Sequence, residues 1–111
     1  MKKYFATCAL SLIAAVLSIA PVSVEANEPT RILRRANCFV CHSVESKRIG
    51  PAYKDVAARY QGDDSMPAKL FDKVRKGGAG NWGDVAMSPH PSETISDDDL
   101  KAIIHWILSR K

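Results

Sequence analysis

The chain has 111 residues, with 16 Lys and Arg against 12 Asp and Glu, a formal net charge of +4. That length bounds it to one small domain, which buries little apolar surface unaided and usually needs a staple. The positive balance carries no dense basic run with interleaved aromatics, so nucleic acid is not the expected partner. The charge reads instead as help in docking acidic surfaces.

The N-terminal segment is expected to be removed. Lys2 and Lys3 form a positive n-region, Phe5 to Ala20 an apolar run, and Val24-Glu25-Ala26 a signal-peptidase site. Residues 1–26 read as a cleaved secretory signal peptide and residues 27–111 as the domain. The run is short for a membrane span and ends at Pro21. Cys8 lies within it and reads as a discarded small hydrophobe.

The first helix is expected to start near Pro29 and to reach about Asn37, with Ile32, Leu33 and Ala36 on one face. It delivers Cys38-Phe39-Val40-Cys41-His42 at its C-terminal end. Two thiols three apart, followed at once by an imidazole, read as a c-type haem attachment site. Each thiol adds across one porphyrin vinyl group, and one helical turn carries the second thiol to the second vinyl. Cys38 and Cys41 are then the covalent anchors, and His42 lies under the iron as proximal ligand. A Cys-x-x-Cys also serves in thioredoxin-like redox pairs and in zinc sites. The first needs βαβ patterning, which this sequence does not show. The second needs two more ligands nearby, whereas His90 and His105 are far along the chain. One covalent haem c would be the staple that so small a domain requires. Such attachment takes place outside the bacterial cytoplasm, in line with the leader.

A loop over Ser43 to Gly50 leads to Pro51 and a short helix from Ala52 to about Tyr60, ended by Gly62. Its stripe of Tyr53, Val56, Ala57 and Tyr60 reads as core packing. A third helix is expected from Ser65–Pro67 to Gly77-Gly78, capped by Ser65 or Asp64, with Leu70, Phe71 and Val74 inward. Residues 77–91 hold four glycines and two prolines and cannot form a regular helix or central strand. A long irregular loop in so short a chain is usually functional. The last helix opens on Ser96-Asp97-Asp98-Asp99, a capping-box-like start. Its apolar stripe is Leu100, Ile103, Ile104, Ile107 and Leu108, with Trp106 beside it. This helix is expected to pack across the first. The fold class is therefore all-α, with about four helices wrapped around one haem.

Two protein ligands on the iron mean electron transfer, and an open site means small-molecule binding or catalysis. The distal candidates are Met66, Met87, His90 and His105. Met66 reads as a surface or gap-filling residue at a helix start. His105 lies off the apolar stripe and reads as solvent-facing. Met87 lies in the Gly/Pro loop that can fold over the open haem face and leads, with His90 its rival. A thioether opposite an imidazole favours the ferrous state and raises the potential.

The pattern resembles the class I c-type cytochromes, most nearly the small bacterial cytochrome c-551 group. The resemblance rests on the haem motif, on Ile49-Gly50-Pro51-Ala52-Tyr53-Lys54-Asp55-Val56-Ala57-Ala58-Arg59-Tyr60, on Gly80-Asn81-Trp82-Gly83 with Met87, on Ser96-Asp97-Asp98, and on Trp106-Ile107-Leu108-Ser109. It implies that Pro51 offers its carbonyl to the other imidazole nitrogen of His42, which fixes the ring. It also implies Met87 as distal ligand, an indole N–H from Trp82 to a haem propionate, and Lys73 as cationic propionate partner. The chain departs from the group around the methionine. Ala86 and Ser88 stand where prolines are usual, and His90 stands at an asparagine-like place. His90 is accordingly expected to modulate this face and to replace Met87 if the loop opens, for instance at alkaline pH.

The resulting expectation is a monomeric, soluble periplasmic carrier of single electrons, not an enzyme. It would shuttle between a membrane complex or dehydrogenase and a terminal reductase or oxidase. Redox protein partners would dock transiently at the haem edge, guided by an apolar rim with Lys47, Arg48, Lys54 and Lys76. The alternative is a haem-based sensor or small haem enzyme subunit with a displaceable distal ligand. No acid–base pair in the sequence accompanies the motif to favour it.

Overall fold

A computed structural model describes residues 28–111; the leader expected over residues 1–26 lies outside them. The described residues form five helices and no strand: α1 (Glu28–Arg35), α2 (Cys38–Cys41), α3 (Tyr53–Arg59), α4 (Met66–Lys76) and α5 (Asp97–Leu108). The all-α expectation holds, with one helix more than the sequence suggested.

The extra helix has a local cause. Asn37 adopts a left-handed conformation, φ 60°, which asparagine tolerates better than most residues. It ends α1, and the Cys38–Cys41 turn starts afresh, closed by His42 N–H donating to the Cys38 carbonyl at 2.9 Å. The haem motif is thus a re-aimed turn of its own rather than the tail of α1.

Helix α5 organises the packing, lying against α1, α3 and α4. Ser96 caps it, its hydroxyl accepting from the Asp99 amide at 3.2 Å, and three aspartates in the first turn complement the helix dipole. Arg110 closes the other end by donating Nε–H to the Trp106 carbonyl. Leu100, Ile103 and Ile104 are buried, while Ile107 and Leu108 pack at the edge of the core. Burying a side chain such as Leu100 contributes roughly 1.5–3 kcal/mol. Ile95, just before the cap, is also buried in this cluster. It occupies the outer position of a hydrophobic staple whose inner member is Leu100.

The face of Ile32, Leu33 and Ala36 on α1 joins the same core, as expected, and Arg35 reaches Asp99 at 2.9 Å. On α3, Tyr53, Val56 and Ala57 are buried, but Tyr60 is half-buried and packs edge-on to Trp82 instead. Ser65 is the N-cap of α4, one of the two residues expected there, but its hydroxyl accepts no bond from the helix. It donates instead to the Asp63 carboxylate, which also takes the Ser65 amide at 2.9 Å. That local turn holds the Asp63 carboxyl below the usual range, first through the hydroxyl and then the amide. Met66 is buried, so of its two expected roles it fills the core. Arg75 ties α4 to α5, donating from Nη2 to Asp97 at 2.6 Å.

Candidate functional site

The proximal wall is built by a loop lashed back onto the haem motif. Gly50 N–H donates to the Cys41 carbonyl at 2.7 Å, and Tyr53 N–H to the Ser43 carbonyl at 2.9 Å. These bonds bring Pro51 to His42, whose Nδ1 lies 2.8 Å from the Pro51 carbonyl oxygen. With Nδ1–H donating there, Nε2 is left as the nitrogen able to hold a metal. Tyr53 stacks on the His42 ring at 5.2 Å with 15° between planes. Phe39 and Trp106 meet Tyr53 edge-on, so the imidazole is held by an aromatic cluster rooted in the core. Gly50 passes so close that the imidazole occupies the space a side chain there would take.

The distal wall is the 77–91 loop. Gly77, at φ +68°, turns the chain out of α4 with its N–H on the Lys73 carbonyl at 2.7 Å. Gly78 and Met87 then exchange two backbone bonds, 2.9 and 3.1 Å, closing the neck of the loop. Its far end is fastened by His90 N–H on the Val74 carbonyl at 2.9 Å and by Arg75 Nη1 on the His90 carbonyl at 3.0 Å.

Between the walls lies a cleft of about 510 Å³, lined by Cys38, Cys41, His42, Trp82, Met87 and Lys73 among others. Its size is that of a cofactor site. His90 also lines it, while His105 is exposed on α5, as expected. The apolar flanks come from α1, α3, α4 and α5 through Leu33, Val56, Val74 and Ile104. Neither cysteine is in a disulfide, and both are half-buried at the cleft. The donor set fits a covalent haem: two thiols one turn apart, an imidazole with its second nitrogen anchored, and a thioether on another wall. No helix among the described residues is long and apolar enough to cross a membrane.

Burial pushes the Tyr53 hydroxyl well above the usual tyrosine range, with the neighbouring Cys38 sulfur a smaller cause. Burial likewise raises the Cys38 thiol before it is alkylated. In the haem-linked protein the sulfur charges are gone and burial remains. A phenol whose folded-state pKa is raised contributes stability below its unfolded pKa of about 10 and loses it as pH rises further. Tyr53→Phe is therefore expected to reduce the stability difference between pH 8 and pH 11 by about 1 kcal/mol or more, measured by denaturant titration.

Sequence reasoning missed two arginines. Arg59 donates Nη1–H to the Asn81 carbonyl at 2.6 Å, and its guanidinium lies 4.4 Å from the Trp82 ring centre. Arg75 does the equivalent service at the loop's other end. Neither has a sequence signal, because an arginine on a helix reads as a solvated face until its partner loop is placed. The expected cationic rim is also mostly engaged locally. Lys54 pairs with Glu45, Lys76 lies 3.7 Å from Asp72, and Arg48 donates to the Phe39 carbonyl; Lys47 is exposed. What the cleft mouth does present is apolar: Val40, Ile49 and Val85 are all exposed beside it.

A helical shell that keeps an apolar slot open, with the attachment motif on one wall, is the build of a c-type haem protein. Comparison with known proteins agrees. The profile of the family described as Cytochrome c matches residues 30–111. A cytochrome c-551 of Allochromatium vinosum is 48% identical over 77 residues, covering 69% of this chain and 80% of its own length. A cytochrome c2 of Rubrivivax gelatinosus is 42% identical over 80 residues, covering 72% and 94%. The crystal structure of wild-type Nitrosomonas europaea cytochrome c552 superposes with a TM-score of 0.67 at 41% identity, covering 74% of this chain and 99% of that one. The chain belongs to the cytochrome c family. It is an electron-transfer protein, not an enzyme, with one covalent haem c, and Cys38 and Cys41 fit the attachment motif.

Proposed function

We propose that the chain is a periplasmic carrier of single electrons, exported by residues 1–26 and holding its haem iron between His42 and Met87. The observation that carries this reading is the placement of both residues on one cleft, each fixed from behind. His42 is anchored through Pro51, and Met87 through its pair of backbone hydrogen bonds with Gly78. Bound haem supplies a one-electron couple. The chain's task is then to hold both ligands still in either oxidation state, so that little beyond the electron has to move.

Pro51 orients the imidazole and strengthens its donation. Trp82 and Lys73 line the cleft where an indole N–H and an ammonium can hold the haem propionates. The apolar trio Val40, Ile49 and Val85 gives partners a small surface at the haem edge. With three of the four rim cations engaged locally, docking is expected to rest more on this apolar contact than on charge. Donor and acceptor fit a membrane complex or dehydrogenase on one side and a terminal reductase or oxidase on the other, met transiently as a monomer.

The test is the absorption spectrum of the oxidised holoprotein together with carbon monoxide titration of the reduced form. His/Met ligation gives a weak red sulfur-to-iron band and resistance to carbon monoxide at neutral pH. Ready binding of carbon monoxide without the band would replace the carrier with a sensor having an open distal site.

A further inference from the structure

The 77–91 loop has two parts with different fastenings. Its neck is held by the Gly78–Met87 pair, and its base by Lys73, Val74 and Arg75. Residues 79–86 form a tip that projects past the neck. Within the tip there is one backbone bond, Gly80 N–H to the Gly83 carbonyl at 2.9 Å. Among the described residues, one side chain from outside the loop hydrogen-bonds to the tip, and that is Arg59 at the end of α3.

We propose that Arg59 is a latch: it clasps the loop tip against α3 and so controls the access of exogenous ligands to the distal face of the haem. Its role as a gate at that face rests on the reading of Met87 as distal ligand. One guanidinium makes three contacts here. It donates to the Asn81 carbonyl at 2.6 Å, lies 4.4 Å from the Trp82 ring centre, and lies 5.5 Å from that of Tyr60. Tyr60 in turn meets Trp82 edge-on at 6.1 Å and 89°. A planar, delocalised cation can donate in its plane and stack on its face together; an ammonium is a point charge and cannot.

Arg59 is exposed, so this is a clasp on the surface and not part of the core. Trp82 lines the cleft, and releasing the tip moves it off that wall. Met87 lies at the neck, where its backbone stays paired with Gly78 when the tip opens. Imidazole can bind only as the Met87 thioether leaves the iron; an open tip gives the thioether room to swing aside and lets imidazole take the place it vacates, while at rest Met87 stays bound.

The experiment compares the holoprotein with its Arg59→Ala and Arg59→Lys variants and with Lys101→Ala, which removes an exposed cation from α5. The ferric proteins are mixed with imidazole and the association rate is followed. Hydrogen exchange of the amides of residues 80–84 is measured in parallel. Arg59→Ala is expected to keep the red sulfur-to-iron band and to bind imidazole about tenfold faster, the worth of one screened stack and one charge-assisted hydrogen bond. Arg59→Lys should recover little of the wild-type rate, and Lys101→Ala should match the wild type. Tip amides should exchange faster in both Arg59 variants. An imidazole rate within twofold of wild type, or an equal rise in Lys101→Ala, overturns the latch. So does unchanged tip exchange, even where the melting temperature falls. If the wild type lacks the red band, the Met87 reading fails by itself, and the exchange arm still decides whether Arg59 holds the tip.

Discussion

Replacing Met87 with Ala is expected to abolish the red sulfur-to-iron band and to let carbon monoxide bind the ferrous protein at neutral pH, from no detectable adduct to a full one. The expectation follows from the two walls of the cleft. His42 can serve one side, and Met87 brings the thioether of the facing loop. On the proposed ligation, losing that thioether also removes the ligand that favours the ferrous state, so the reduction potential should fall. The matched control is Met66→Ala. Met66 is buried at the start of α4 and should cost stability, about 2 kcal/mol or more, while leaving the band in place. A band that survives in Met87→Ala and vanishes in Met66→Ala would reverse the assignment. His90 supplies a further reading of the same experiment, since it too lines the cleft. If Met87→Ala stays closed to carbon monoxide but has lost the band, His90 has moved in, and adding His90→Asn should open the site.

Gly50→Ala is expected to lower stability by about 2–4 kcal/mol and to cut the yield of haem-loaded protein. A Cβ at Gly50 would sit 2.5 Å from Cε1 of His42 and 2.9 Å from each ring nitrogen. The ring has little freedom to retreat, because Nδ1 is bonded to the Pro51 carbonyl and Tyr53 is stacked on the imidazole. The backbone is equally committed, with Gly50 N–H on the Cys41 carbonyl and the Gly50 carbonyl accepting from Arg48 N–H. Overpacking of this kind costs about 1–3 kcal/mol, and the hydrogen bond that gives way adds about 1. Gly62→Ala is the comparison: Gly62 has φ +79° and open space around it, so only the left-handed backbone is penalised, by about 1–2 kcal/mol. Thermal melts and haem content of the two variants separate contact from conformation. A Gly50→Ala protein as stable as wild type, with full haem content, would show that His42 is not held as tightly as its contacts require.

Much of this protein is written in short stretches of chain. Helix α5 is legible because its cap, its acidic first turn and its apolar stripe lie within one run of residues. The attachment motif is legible because its chemistry depends on a spacing of three. The irregular character of residues 77–91 follows from their glycines and prolines alone. Where expectation and fold differ, the competing interaction is still local but subtler. Asn37 breaks the first helix because a left-handed residue fits between two helical turns, and Ser65 caps α4 by position alone because its hydroxyl is drawn to the Asp63 carboxylate two residues before it.

The sequence by itself determined four of the five helices, the Cys-x-x-Cys-His attachment motif and the irregular loop of residues 77–91, because bond geometry, periodicity and backbone freedom act over a few residues. Only the tertiary structure decided what holds that loop. The Arg59 clasp on Asn81 and Trp82 spans 22 residues of chain, and the Arg75 bond to His90 spans 15. The same holds for the rim charges, which Glu45 and Asp72 partly neutralise once side chains are placed. A guanidinium carries the same charge in any sequence; its partner is chosen by distance in space, which the order of residues does not state.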